Sequence, residues 1–259
     1  MTDDARKFEH SPRSSRQERS AREEFIKLFD QSPIPRESLF YNNLSVYLPR
    51  QELSRLLALS DIYRNHVVDS AGVMMEFGTW AGRTATTLTN LRGALEPFNF
   101  TRRLLIFDTF DGLAGVNDQD GTHALAKDQT YSIAASYDGY LEKILSYHES
   151  EAPLSHIKKF EIIKGDASVT VPQYLKSHPE TIVSLAYFDF DIFVPTRDCL
   201  KAIVPHLTKS SVLIFDQLNC PEYPGETVAL QEVLSLGKVR IRRSPLTPWM
   251  TYLLAEDFL

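Results

Sequence analysis

From residue 72 onward the chain alternates short apolar runs with segments of helical period, and this alternation restricts the fold more than any other feature. The runs are GVMMEF (72–77), RLLIFD (103–108), KFEIIK (159–164), IVSLAYFDF (182–190) and SVLIFD (211–216). Between them lie RTATTLTNLRGAL (83–95), residues 137–149, VTVPQYLKSH (169–178) and TRDCLKAIVPHL (196–207), and a further helical pattern covers 225–236. Strands that read as continuous apolar runs are buried on both faces, and strands separated by helices pair in parallel. Two last strand patterns, KVRIRR (238–243) and MTYLLAE (250–256), are too close for a crossover helix and predict an antiparallel hairpin. The expected fold is α/β: a Rossmann-like, seven-stranded, mainly parallel sheet with a terminal antiparallel hairpin and helices on both faces.

Upstream of the sheet the pattern changes twice. Residues 1–22 are polar, carry charges of both signs and contain one aromatic. Such a segment cannot offset its ordering entropy and predicts a disordered tail. Residues 23–70 predict a helical extension, with EEFIKLFD (23–30) and a longer helix over 51–69, and 71–259 form the α/β domain. The net charge of −6 argues against a general nucleic-acid binder. Cys199 and Cys220 form no CxxC pair, so neither a zinc site nor a disulfide framework is predicted. No run approaches the ~18 apolar residues of a membrane span. Asp3 and Asp4, with no apolar stretch behind them, do not make a signal peptide, so the cytoplasm is the expected address.

In open α/β sheets, ligands bind beyond the carboxyl ends of the strands. The first strand runs into MMEFGTWAGRT, which sets Glu76 before Gly78, Trp80 and Gly82. The glycines permit a tight turn and close backbone approach. A dinucleotide fingerprint would read G-x-G-x-x-G, whereas the acid here disfavours a pyrophosphate and suits a cationic ligand. A tight turn with a rim carboxylate explains the same residues without a ligand. Asp108 ends the second strand, where an acid commonly bonds ribose hydroxyls. The third strand runs into Gly165, Asp166, Ala167 and Ser168, a turn able to border an adenine ring.

The fourth and fifth strands end in AYFDFD and FDQL. Asp189 and Asp191, two apart, are expected on one face of a strand. With Asp216 and Gln217 they form either a general base with its neighbours or oxygen ligands for a hard cation such as Mg²⁺. Capping of the following loops or helices is the plain alternative, favoured for Asp191 and evenly balanced for Gln217. The polar insertion 111–136 has the length of a lid, and His123 on it is a second candidate base. His148 and His206 read as surface or packing residues, and Trp249 and Tyr252 as core. Tyr41, Asn43 and Tyr47 either cover a cofactor or dock an N-terminal arm, and PEYPG (221–225) is placed to border an acceptor.

Taken in order, MMEFGTWAGRT, LLIFDTFDGL, GDASVTVP, AYFDFD and VLIFDQL resemble the class I S-adenosylmethionine-dependent methyltransferases, and more closely the macrocin O-methyltransferase family. The likeness spans about residues 40–257, with FDTFDGL its most specific phrase. KDQTYSIAASYDGYLEKILSYHESE is similar to the group that methylates the 3-hydroxyl of nucleotide-linked 6-deoxyhexoses. The resemblance implies that Glu76, Gly78, Trp80 and Gly82 line the methionine part of S-adenosylmethionine, with Thr84 also a cofactor-binding residue. It implies Asp108 on the ribose, Asp166–Ser168 near adenine, and Asp189, Asp216 and Gln217 around Mg²⁺. The family pattern has two adjacent aspartates at the fifth strand, and this chain has Gln217 in the second place. A nucleotide sugar or glycoside is the implied acceptor and a homo-oligomer the expected assembly, without nucleic acid or membrane. Two rivals stand beside it: a metal-assisted phenol or catechol methyltransferase, and a non-catalytic nucleoside-binding protein.

Overall fold

The structure is a computed structural model that describes residues 14–122 and 127–259. Residues up to Leu53 form one compact unit and Ser54–Leu259 another. The first contains α1 (Arg16–Asp30), α2 (Arg36–Asn42) and a 3₁₀ turn (Leu44–Tyr47). Helix α1 begins inside the segment expected to be a tail, whose residues 1–13 lie outside the described residues. Its start is a capping box: Ser15 N–H donates to Glu18 Oε2 at 2.6 Å and Glu18 N–H to Ser15 Oγ at 3.2 Å. Within this unit the Tyr47 ring packs against Phe25 and Phe29, and the Asn43 side chain donates to the Ser38 carbonyl at 3.0 Å.

Helix α3 (Arg50–Ile62) leads into the second unit and continues as a π-helical turn (Tyr63–Val67). The apolar runs become β1 (Val73–Phe77), β2 (Leu104–Asp108), β3 (Phe160–Lys164), β4 (Val183–Phe188) and β5 (Leu207–Phe215). The alternating helices are α4 (Arg83–Leu95), α5 (Tyr137–Ser150), α6 (Ala167–Ser177), α7 (Phe193–Ile203) and α8 (Gly225–Leu234). With β6 (Arg242–Arg243) and β7 (Thr251–Leu254) the sheet order is β3-β2-β1-β4-β5-β7-β6. The first five strands are parallel, and β7 runs antiparallel to both β5 and β6. The hairpin is therefore present, but its first strand is two residues long rather than six. Leu236–Lys238 form a 3₁₀ turn instead, and the arginines of β6 lie on an outer edge, where charge and brevity both discourage pairing with another chain.

Side-chain alternation divides the core into two layers. Met74, Leu104, Ile106, Leu185, Tyr187, Val212 and Ile214 pack with Ala58, Leu59 and Ile62 of α3, and with α4 and α5. Met75, Phe77, Leu105, Phe107, Phe188, Leu213 and Phe215 pack with α6, α7 and α8. Each fully buried side chain of this kind contributes about 1.5–3 kcal/mol. The chain order reverses between β1 and β4, which places a crevice at their carboxyl ends.

Candidate active site

The ladder continues past the ends of the parallel strands and draws their exits into one rim. Gly78 N–H donates to Phe107 O at 3.0 Å, Asp189 N–H to Phe77 O at 2.8 Å, Asp216 N–H to Phe188 O at 3.1 Å and Gly165 N–H to Asp108 O at 3.0 Å. Glu76 lies opposite Tyr187 in the β1–β4 register, and Phe188 opposite Phe215 in β4–β5. Strand parity thus brings Glu76, Tyr187, Asp189 and Asp216 out on the face covered by α3.

In the β1–α4 loop, Gly78, Trp80 and Gly82 all have positive φ, at 83°, 45° and 82°. A Cβ on Gly78 would stand 2.2 Å from the Asp189 carbonyl oxygen, and one on Gly82 2.2 Å from Leu141 Cδ1. The loop is held from β2: Asp108 Oδ2 accepts from Thr79 N–H at 2.6 Å and Trp80 N–H at 3.0 Å, and Oδ1 from Phe110 N–H at 2.6 Å. Asp108 is thus the anchor of the loop, a role its position in the sequence did not suggest. Thr84 is buried in the first turn of α4, whose start at Gly82 has no side-chain cap. Glu76 is buried, and burial, reinforced by the charges of Asp189 and Asp108, pushes its carboxyl up to about 8. Asp166 caps α6 by accepting from Ser168 N–H at 2.9 Å, so Ala167 and Ser168 form a helix start rather than a free turn.

Arg55 is the residue around which the acids gather. Its Nη1 donates to Asp216 Oδ1 at 2.6 Å, its Nη2 donates to the Tyr187 hydroxyl and stands 3.5 Å from Asp189 Oδ2. Tyr187 in turn donates to Asp216 Oδ1 at 2.8 Å. Burial opposes the guanidinium charge, but Asp216, Tyr187 and Asp189 more than offset it and its pKa rises. Asp189 is pushed up to about 7 by burial and then by Asp216, against the pull of Arg55 and Arg83. Asp191 does not share a strand face with Asp189. Strand β4 ends at Phe188, and Asp191 turns with φ at 63°. It does not cap α7 either, because Asp120 Oδ1 accepts the Phe193 N–H at 2.5 Å in its stead. Burial, then Asp189 and Asp216, raise the Asp191 pKa, and a hydrogen bond with Gln217 opposes them.

The donors fit a hard cation on one observation. Gln217 Oε1 is buried and accepts no hydrogen bond, and Gln217 directly follows Asp216, whose carboxylate Arg55 holds. A bare carbonyl oxygen of this kind suits Mg²⁺, which completes its shell with water and substrate oxygens. Among the described residues no group of three or more His, Cys, Asp or Glu side chains makes a metal centre, so Gln217 is indispensable to that fit.

The insertion between β2 and α5 reaches over this rim. Trp80 meets Tyr131 edge-on with centroids 6.4 Å apart, Tyr137 donates to Ala81 O at 3.1 Å, and the Tyr131 and Tyr223 hydroxyls are 3.1 Å apart. His123 lies outside the described residues. His148 is in the last turn of α5, 3.9 Å from Glu151, and His206 Nδ1 is 2.9 Å from Thr181 O. Three residues at this rim escaped the sequence patterns: Arg55, Tyr187 and Glu226, whose Oε2 accepts the Gln217 N–H at 3.0 Å. Arg55 had a signal, because it precedes buried Ala58 and Leu59 by three and four positions and so shares their helix face. Glu226 had none, since an acid in a first helical turn is ordinary.

No protein-family model and no curated protein sequence matches this chain. Among solved structures, the calicheamicin methyltransferase CalS11 is 40% identical, with 93% of each chain covered and a TM-score of 0.89. A second structure, apo CalS11, described as a TDP-rhamnose 3'-O-methyltransferase of calicheamicin biosynthesis, is 37% identical over 93% of this chain and 95% of that one, with a TM-score of 0.81. The O-methyltransferase NovP shares the fold at 15% identity, 79% coverage of each chain and a TM-score of 0.55.

Proposed function

We propose, for a chain that belongs to the class I S-adenosylmethionine-dependent O-methyltransferases, that its acceptor is the 3-hydroxyl of a nucleotide-linked 6-deoxyhexose in natural-product biosynthesis. The observation that supports this most directly is likeness to a TDP-rhamnose 3'-O-methyltransferase at 37% identity across 93% of the chain. The site agrees with it chemically. Glu76 faces the ammonium of the cofactor, the Gly78–Gly82 loop lets it approach closely, the uncapped start of α4 takes its carboxylate, Asp108 the ribose and Asp166–Ser168 the adenine. Asp189 accepts the acceptor's proton while the oxygen bonds to the methyl carbon and the S–CH₃ bond breaks. The in-line geometry at about 3–3.5 Å makes positioning a large part of the catalysis. Mg²⁺ held by Asp189, Asp216 and Gln217 would supply charge that makes the acceptor hydroxyl more acidic. His123 is the alternative base. We place the enzyme in the cytoplasm as a homo-oligomer, without nucleic-acid or membrane partners. Among the described residues no helix is long and apolar enough to cross a membrane.

The cluster of Trp80, Tyr131 and Tyr223 favours one second reading, a phenol or catechol acceptor. Mass spectrometry with methyl-labelled S-adenosylmethionine, a panel of nucleotide sugars and a catechol decides between them. Label is expected on a TDP-deoxyhexose, with loss in EDTA and recovery on adding Mg²⁺. Transfer only to the catechol overturns the acceptor, and full activity in EDTA overturns the metal.

Glu76 makes the cofactor step depend on pH. An unfolded glutamate titrates near 4.5 and the buried one at about 8. Between those values the folded protein holds a proton that the unfolded chain has released, so stability without cofactor falls as pH rises through this window and levels off above it. An ammonium against Glu76 favours the ionised form. Binding of S-adenosylhomocysteine should therefore release a proton below pH 8, and affinity should climb with pH by up to about tenfold per unit. Calorimetry in buffers of different ionisation heat counts that proton. The same count in Glu76→Gln would show that it comes from elsewhere.

A further inference from the structure

Glu226 is wholly buried, and its carboxylate touches two different strand exits. Oε2 accepts the Gln217 N–H at 3.0 Å, on the exit of β5, and Oε1 receives the Asp191 N–H at 3.4 Å, on the exit of β4. The approach of α8 that makes this possible depends on the residue before it. A Cβ on Gly225 would stand 2.5 Å from both Asp120 Oδ1 and Phe193 N, and 2.8 Å from Ile192 C. Glycine lets the helix start press against the β4–α7 loop and delivers the Glu226 side chain beneath the rim. A buried carboxylate beside Asp191, Asp189 and Asp216 is a poor choice for stability alone, because burial and like charge both work against it. What it does supply is a fixed relation between the exit that carries Asp189 and the exit that carries Asp216 and Gln217.

We infer that Glu226 is a positioning residue for methyl transfer. It holds the two exits in one register and, through the Gln217 backbone, sets the orientation of the unpaired Gln217 carbonyl. The inference deepens the proposed methyltransferase reading and rests on it for its effect on rate, but the bracket itself can be tested without turnover.

The test uses the full chain with Glu226→Gln, which keeps the shape but turns an amide NH₂ toward one of the two backbone N–H groups. Hydrogen exchange, read by mass spectrometry, should quicken over 189–192 and 216–219 and stay unchanged in the rest of the sheet. S-adenosylhomocysteine affinity should stay within about twofold, whereas kcat should fall about 10–100-fold, the usual range for a partner that orients a ligand. In a Gln217→Ala background the same change should cost less than about twofold, since residues acting through each other do not add. Unaltered exchange in both segments, or fully additive losses, overturns the inference. Should Glu226→Gln not fold, Glu226→Asp is read in the same way, since it keeps the carboxyl group but is one methylene short of both loops. If neither folds, Glu226 is a determinant of the fold and the inference fails. A wild-type enzyme that methylates no acceptor would instead defeat the functional proposal, with the exchange result still deciding the bracket.

Discussion

Asp189→Asn is expected to lower kcat for methyl transfer by about 10²–10⁴-fold, the range lost when a positioned general base is removed. Asparagine keeps the size of the side chain and the Asp189 backbone N–H to Phe77 O, so the sheet rim should persist. What it loses is the ability to take a proton. Asp189 is suited to that task because burial and Asp216 hold its carboxyl at about 7, near the working range of a base, while Arg55 keeps it oriented. Cofactor binding should change little. The relevant measurements are single-turnover rates together with S-adenosylhomocysteine affinity by calorimetry. A variant that retains more than about a tenth of the wild-type rate would move the base elsewhere, with His123 the next residue to change.

Asp108→Ala should act at the other end of the reaction, on cofactor binding. Three backbone N–H groups, of Thr79, Trp80 and Phe110, point at this one carboxylate. Bonds to a charged acceptor contribute about 1.5–3 kcal/mol each, less where water replaces them, as it does at half-exposed Trp80. Losing all three frees the loop that carries Gly78, Trp80 and Gly82, and ordering it again must then come out of the binding energy. S-adenosylhomocysteine affinity is expected to fall by about 100-fold or more, with a lower melting temperature in the absence of ligand. Asp108→Asn should lie between, because it keeps one acceptor oxygen and turns a donor toward the other N–H groups. Unchanged affinity in Asp108→Ala, measured by calorimetry, would remove both the ribose contact and the loop anchor from the proposal.

Much of this site was readable along the chain because its residues sit at the ends of regular strands. A buried parallel strand must be apolar, so the first polar residue after VMM, LLIF, AYF or VLIF marks the rim where ligands bind. Glu76, Asp108, Asp189, Asp216 and Gln217 were picked out in that way, and the structure places them at the strand exits. Period-2 reasoning fails one step later. It assigned Asp191 to the face of Asp189, but a strand's alternation stops where the strand does, and β4 stops at Phe188. The hairpin's first strand was overestimated for a related reason. KVRIRR has the residue types of a strand, but pairing at an edge is settled by neighbours, and only Arg242 and Arg243 find partners in β7.

The amino-acid sequence by itself determined the sheet, its mainly parallel order, the terminal reversal and the acids and glycines at the strand exits. These follow from local pattern: burial dictates apolar runs, and turns dictate glycine. Only the tertiary structure decided what those acids face. Arg55 reaches Asp216 from 161 positions away, Glu226 joins two exits from a third element, and Asp120 takes the helix cap expected of Asp191. Charge pairing and capping depend on distance in space, and a carboxylate can be satisfied by any donor that the packing of helices on the sheet brings within about 3 Å. Periodicity along the chain carries no record of that choice.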